Sequence, residues 1–145
     1  MSVKPIPEGY QSVIPYLVGH NIEGLIEFLE KVFDAKVMHR SKRPDGSTGH
    51  CEVRIADSVV MLGEPMGDAY PARQAALYVY VPNVDETYKK ALAAGAKSQS
   101  EPQDHFYGDR SGGFFDPIGN NWWVATHVED VSPEEIERRM KAAVK

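Results

Sequence analysis

Apolar and polar positions along the chain follow one pattern that occurs twice, about 62 positions apart. Ile14-Pro15-Tyr16-Leu17-Val18 followed by Asn21-Ile22-Glu23 opens the first copy. Ala76-Leu77-Tyr78-Val79-Tyr80-Val81 followed by Asn83-Val84-Asp85 opens the second. Each is an apolar run of strand length, then an asparagine suited to capping a helix, then a helical stretch. The copies also end alike, with Asp57-Ser58-Val59-Val60-Met61-Leu62 answering Ile118-Gly119-Asn120-Asn121-Trp122-Trp123-Val124. Internal repetition constrains the fold more than any single motif here.

The first helix is expected after Asn21, with Leu25, Ile26, Leu29, Val32 and Phe33 on its buried face. The second follows Asn83, with Glu86 placed as in a capping box, a buried face of Val84, Tyr88, Ala91 and Leu92, and Gly95 as the stop. A third begins at Ser132-Pro133 with Glu135 completing its box, and carries a thin stripe of Ile136, Met140 and Ala143. That thin stripe predicts a helix lying on the sheets or against a second subunit. After each of the first two helices come three extended stretches: Lys36–Lys42, Gly49–Ala56 and Ser58–Gly63, then Lys97–Gln103, Arg110–Asp116 and Asn121–His127. Each half therefore reads as strand, helix and three strands (βαβββ). The chain is expected to be one domain, with modules near residues 11–64 and 75–128, a linker at 65–74 and a C-terminal helix near 133–144.

Alternation separates two faces of the sheets. Val13, Leu17, Cys51, Val53, Ile55, Val60, Leu62, Leu77, Val79, Val81, Trp122 and Val124 form an apolar set expected beneath the helices. The other face carries Ile14, Tyr16, His50, Glu52, Arg54, Met61, Tyr78, Tyr80, Asn121 and Trp123. Rings mixed with polar groups suit a ligand cavity better than a core, so the α+β fold is expected to curve its sheets around a concave cavity.

Composition narrows the function. With 145 residues there is enough chain to bury a core, and a net charge of -5 argues against nucleic acid as a partner. No apolar run reaches the roughly 18 residues of a membrane span, and the first residues lack a secretory signal's hydrophobic stretch. The lone Cys51 alternates with Val53 and Ile55 and reads as a buried thiol. A cytoplasmic setting is expected.

The paired modules, Asp116-Pro117-x-Gly119-Asn120 before the last strand, and the helix opening Asn21-Ile22-Glu23 resemble the vicinal oxygen chelate superfamily. That superfamily includes glyoxalase I, extradiol dioxygenases, and fosfomycin- and bleomycin-resistance proteins. Phe106–Gly113, then Trp122 and Ala125–Ser132, look like its PhnB-like branch. The resemblance implies a glyoxalase/bleomycin-resistance fold, and homodimers with cavities near the interface. It also implies that metal-dependent members take His or Glu ligands from the first and last strands of each half. Here those positions are Ile14, Met61, Ala76 and Trp123, none of which suits Zn, Fe, Mn or Ni. No metal and no cofactor are therefore expected.

Several candidate sites remain. His50, Glu52 and Arg54 recur at every second position of one strand, so they either form a proton-transfer and anion-anchoring set or a plain polar edge. Tyr16, Tyr78, Tyr80, Phe114 and Trp123 would hold a planar or extended ligand by stacking, unless Tyr16 and Trp123 plug the interior. Gly108–Gly113 lacks the ending of a phosphate loop and reads as a tight connection or sheet bend, with Asp109 and Arg110 near the cavity mouth. His20, His39, His50, His105 and His127 show no recognised ligand spacing. The reading is a metal-independent small-molecule binder that sequesters an antibiotic or metabolite, with ligand contacts from Tyr16, His50, Glu52, Arg54, Met61, Tyr78, Tyr80, Phe114 and Trp123. The alternative is a lyase, isomerase or dioxygenase of the same superfamily with a relocated metal, or an acid–base catalyst using His50.

Overall fold

The computed structural model describes residues 2–143. They form two compact units: one runs to Ala75 and includes Pro117–Gly119, and the other comprises Ala76–Asp116 and the chain from Asn120. The first unit contains β1 (Tyr16–Val18), α1 (Ile22–Phe33), β2 (Lys36–Lys42), β3 (Thr48–Ile55) and β4 (Ser58–Gly63). The second contains β5 (Ala76–Tyr80), α2 (Val84–Ala93), β6 (Lys97–Asp104), β7 (Asp109–Phe115), β8 (Asn121–His127) and α3 (Pro133–Ala143). Strand order is β1-β4-β3-β2 in one sheet and β5-β8-β7-β6 in the other. In each, the first and last strands of the module pair in parallel and the remaining pairs are antiparallel. The duplicated βαβββ reading thus holds as two mixed four-stranded sheets.

Local chemistry explains the helix starts. Asn21 sits in the left-handed region, which asparagine tolerates, and its Oδ1 accepts from the Gly24 N–H at 3.2 Å. Asn83 caps α2 through the Glu86 N–H, and Ser132 caps α3 through the Glu135 N–H. Leu25, Ile26, Leu29 and Val32 of α1 are buried, as are Leu17, Cys51, Val53, Ile55, Val60 and Leu62 of its sheet. Each fully buried aliphatic side chain of this kind contributes about 1.5–3 kcal/mol. Burial also pushes the Cys51 thiol pKa up.

The structure corrects three placements. Val13 is 84% exposed, because pairing begins only at Tyr16 and the residues before it lie outside the sheet's alternation. Leu92 is also largely exposed, leaving Thr87 to join Val84, Tyr88 and Ala91 on the buried face of α2. Phe114, expected among the ligand-facing rings, is fully buried. Its strand partner is Trp122, so the antiparallel register puts it on the core face with Val124, out of a ligand's reach. α3 buries none of its described side chains and is held by polar contacts: Arg139 reaches the Phe106 carbonyl at 3.0 Å and Glu129 at 3.0 Å. Among the described residues no helix is long and apolar enough to cross a membrane.

Candidate ligand-binding site

Register assembles the polar face of the first unit. Tyr16 pairs with Met61, Met61 with Glu52, and Glu52 with His39, so one cross-strand row spans the whole sheet. Tyr16 reaches across β4 to His50 on β3, and its hydroxyl lies 3.1 Å from His50 Nδ1. Gly63 permits this crossing, because a Cβ there would lie 3.2 Å from the Tyr16 hydroxyl.

His50 Nε2 lies 2.9 Å from Glu52 Oε2, and the Tyr10 hydroxyl donates to Glu52 Oε1. An ionised carboxylate only accepts, so His50 donates from Nε2. Tyr16, His50, Glu52 and Tyr10 thus form one hydrogen-bonded chain, in which the Nδ1 of a neutral ring accepts from the Tyr16 hydroxyl and that of an imidazolium donates to it. The Tyr10 hydrogen bond, followed by that from His50, holds the Glu52 carboxyl below its ordinary pKa against the opposing effect of burial. The same contact with Glu52 raises the Tyr10 pKa.

Residues before β1 complete this site. The Gln11 amide bonds both the carbonyl and the N–H of Val59, at 2.8 and 3.2 Å, extending the hydrogen bonding of β4 beyond the end of β1. Arg54 donates to the Gly9 carbonyl at 3.0 Å instead of forming an ion pair with Glu52. A cavity of about 380 Å³ remains, lined among others by Ile6, Pro7, Tyr10, Ile14, Glu52 and Met61. Tyr10 lies outside the repeat and outside any periodic run, so no pattern in the chain marks it as a partner of Glu52.

The second unit carries a different cluster. The Tyr78 and Tyr80 hydroxyls both donate to Asp109 Oδ2, at 2.7 and 2.8 Å. His127 Nδ1 lies 2.8 Å from Asp109 Oδ1, and its Nε2 lies 2.8 Å from Asp130 Oδ1. A ring with carboxylates at both nitrogens must donate from both, so this geometry belongs to the imidazolium. Burial raises the Asp109 pKa, but hydrogen bonds from Tyr78, His127 and Tyr80 outweigh it and leave the carboxyl below its usual range. The hydrogen bond to Asp109, then that to Asp130, raises the His127 pKa. Burial and the Asp109 contact hold the Tyr78 phenol far above its ordinary value.

A pH dependence follows from these directions. The elevated pKa means that His127 stabilises the fold fully below the unfolded imidazole value of about 6.5, and loses that contribution as pH rises through the folded value. Asp109 acts oppositely, stabilising above about 3.9 and losing its effect as pH falls through its depressed folded value. Thermal unfolding of wild type and His127→Gln should therefore differ most near pH 5.5–6, with the gap closing toward alkaline pH. A gap that stays constant across that range would show that His127 acts by packing alone.

Trp123 pairs with Tyr78 and lies across Gly113, where a Cβ would sit 2.7 Å from its ring. Glu52 and Gly113 occupy equivalent places opposite Met61 and Trp123, so a small residue accompanies the larger ring. Arg110 is engaged by Asp85 at 2.9 Å and Asp104 at 3.3 Å, which ties β7 to the start of α2. His39 and His50 come into ring contact with centroids 6.2 Å apart, while His105 stacks on Tyr107. Among the described residues no three His, Cys, Asp or Glu side chains are grouped to hold a metal.

Two four-stranded sheets of this topology, with the Asp116–Asn120 turn before the last strand, define a glyoxalase-type fold. The chain belongs to the Glyoxalase/Bleomycin resistance protein/Dioxygenase superfamily, whose family model matches residues 15–124. It is 30% identical over 138 residues to an uncharacterized protein of Mycobacterium bovis, covering 88% of this chain and 91% of that one. In structure it resembles TioX from Micromonospora sp. ML1, with a TM-score of 0.68, 22% identity, and coverage of 81% of this chain and 99% of TioX. It also resembles the PhnB protein from Bacillus cereus, with a TM-score of 0.65, 17% identity, and coverage of 80% and 99%. These two likenesses establish the fold, and the PhnB protein stands among the neighbours without being singled out.

Proposed function

We propose that this protein binds a small organic molecule without a divalent metal, sequestering a metabolite or an antibiotic. The observation carrying this reading is the cavity of about 380 Å³ in the first unit, where Ile14 and Met61 stand beside Glu52. Those are two of the positions to which the family resemblance assigns metal ligands. A thioether and an alkyl chain at those positions do not fit Zn, Mn, Fe or Ni, which take imidazole, carboxylate or thiolate. Alkyl and thioether groups instead supply apolar contact area, and a volume of this size is within the range of small-molecule sites. Tyr16, His50 and Glu52, fixed in one hydrogen-bonded chain, would orient the ligand. In the second unit Tyr78, Tyr80 and Trp123 offer half-buried or exposed rings for stacking. The motifs Phe106–Gly113 and Ala125–Ser132 support assignment to the PhnB-like branch.

Protein purified without added metal is expected to contain far less than one equivalent of Zn, Mn, Fe or Ni by elemental analysis. Soaking in each ion should leave both that content and the melting temperature unchanged. One tightly held ion per chain would overturn the proposal and make a metal-dependent reaction the leading function.

A further inference from the structure

We infer that the cavity beside Glu52 selects an apolar organic cation: a protonated amine attached to a compact hydrocarbon body. This deepens the small-molecule-binding reading and rests on it. The side chain of Glu52 is only 12% exposed, and among the described residues His50 is the one basic group within ion-pairing distance. Tyr10 contacts the carboxylate through a neutral hydroxyl, and the guanidinium of Arg54 is directed to the Gly9 carbonyl. Glu52 is therefore a nearly buried negative charge with no lysine or arginine ion pair among the described residues, and buried charges favour a compensating partner. Elsewhere the lining is mainly apolar, with Ser12 adding one hydroxyl. Ile6, Pro7, Ile14 and Met61 supply hydrocarbon and thioether surface, while the amide of Gln11 is committed to Val59. One carboxylate as the only charge among these lining residues disfavours anions and rewards an ammonium whose body fills the largely apolar remaining space.

Tyr10 explains how the site is maintained without ligand. Its hydroxyl occupies Oε1, the oxygen left over by His50, and so acts as an internal stand-in for the ammonium. An entering amine competes with that hydroxyl rather than with His50. Removing the Tyr10 hydroxyl should then strengthen amine binding more than that of a neutral ligand.

The test uses 2-phenylethylamine and its neutral counterpart 2-phenylethanol at pH 7, titrated into protein with labelled methionine methyl groups. The Met61 methyl signal reports occupancy of the cavity. Wild type should bind the amine at least about tenfold more tightly than the alcohol, a difference on the scale of one charge-assisted hydrogen bond. In Glu52→Gln the amine should weaken to the level of the alcohol, while unshifted methyl signals of Met38, Met66 and Met140, which do not line this cavity, show that the variant is folded. Tyr10→Phe should tighten the amine more than the alcohol. Equal affinity of both probes, with Met61 still shifting, would overturn the cation inference while preserving the binding site. If neither probe shifts Met61, the cavity reading and this inference fall together.

Discussion

Replacing Asp116 with alanine is expected to destabilise the protein by about 3–5 kcal/mol, the size of effect seen when a buried charged partner is removed. Asp116 is 4% exposed and organises the turn before the last strand. Its Oδ1 accepts from the Asn120 N–H at 3.0 Å, and its Oδ2 accepts from Asn120 Nδ2 at 2.9 Å and Trp122 Nε1 at 2.8 Å. Asn120 and Trp122 are also buried, so these donors would have no water to replace the carboxylate. For a chain of this length the loss corresponds to a fall in melting temperature of about 10 °C or more. Asp116→Asn keeps acceptor capacity at one atom and should lose roughly half as much. Urea unfolding of both variants measures this, and a cost below about 1 kcal/mol for alanine would show that the turn stands without its carboxylate. The Asp-Pro-x-Gly-Asn sequence is thus a structural knot, and its presence says nothing about chemistry.

The adjacent tryptophans should separate sharply. Trp122→Ala is expected to cost about 3–5 kcal/mol, since the ring is fully buried against the core face and its N–H is spent on Asp116. Trp123→Ala should cost about 1–2 kcal/mol, because that ring is only partly buried across Gly113 on the opposite face. Trp122→Ala and Asp116→Ala share a hydrogen bond, so their combined cost should fall short of the sum of the single effects. Denaturant unfolding of the three variants decides it. Equal losses at 122 and 123 would mean that Trp123 is a second core ring, leaving no wall for a ligand to stack on.

Much of the fold was legible because its signals are local. A cap side chain bonds an N–H three residues on, as Asn21, Asn83 and Ser132 do here, and spacing alone exposes it. Alternation likewise separates Cys51, Val53 and Ile55 from His50, Glu52 and Arg54 before any partner strand is known. His50 and Glu52 do lie side by side on one face. Their roles were not legible. Whether Glu52 answers to Arg54 or to Tyr10 depends on how residues before β1 fold back, a contact 42 positions distant. Phe114 shows the same limit from another side. Parity within a strand is only relative until pairing with Trp122 decides which face meets the helix.

The chain by itself determined the duplicated modules, the helix boundaries and the exclusion of hard metal ligands from Ile14, Met61, Ala76 and Trp123. These follow from side-chain chemistry and from hydrogen bonds or periodicities that close within a few residues. Only the tertiary structure decided which side chains meet: Tyr10 with Glu52, Tyr16 with His50 over Gly63, and Tyr78, Tyr80 and His127 around Asp109. Each meeting joins residues 18 or more positions apart. Strand register and the path of irregular segments select such pairs, and these are set by the whole packed unit rather than by any local run of residues.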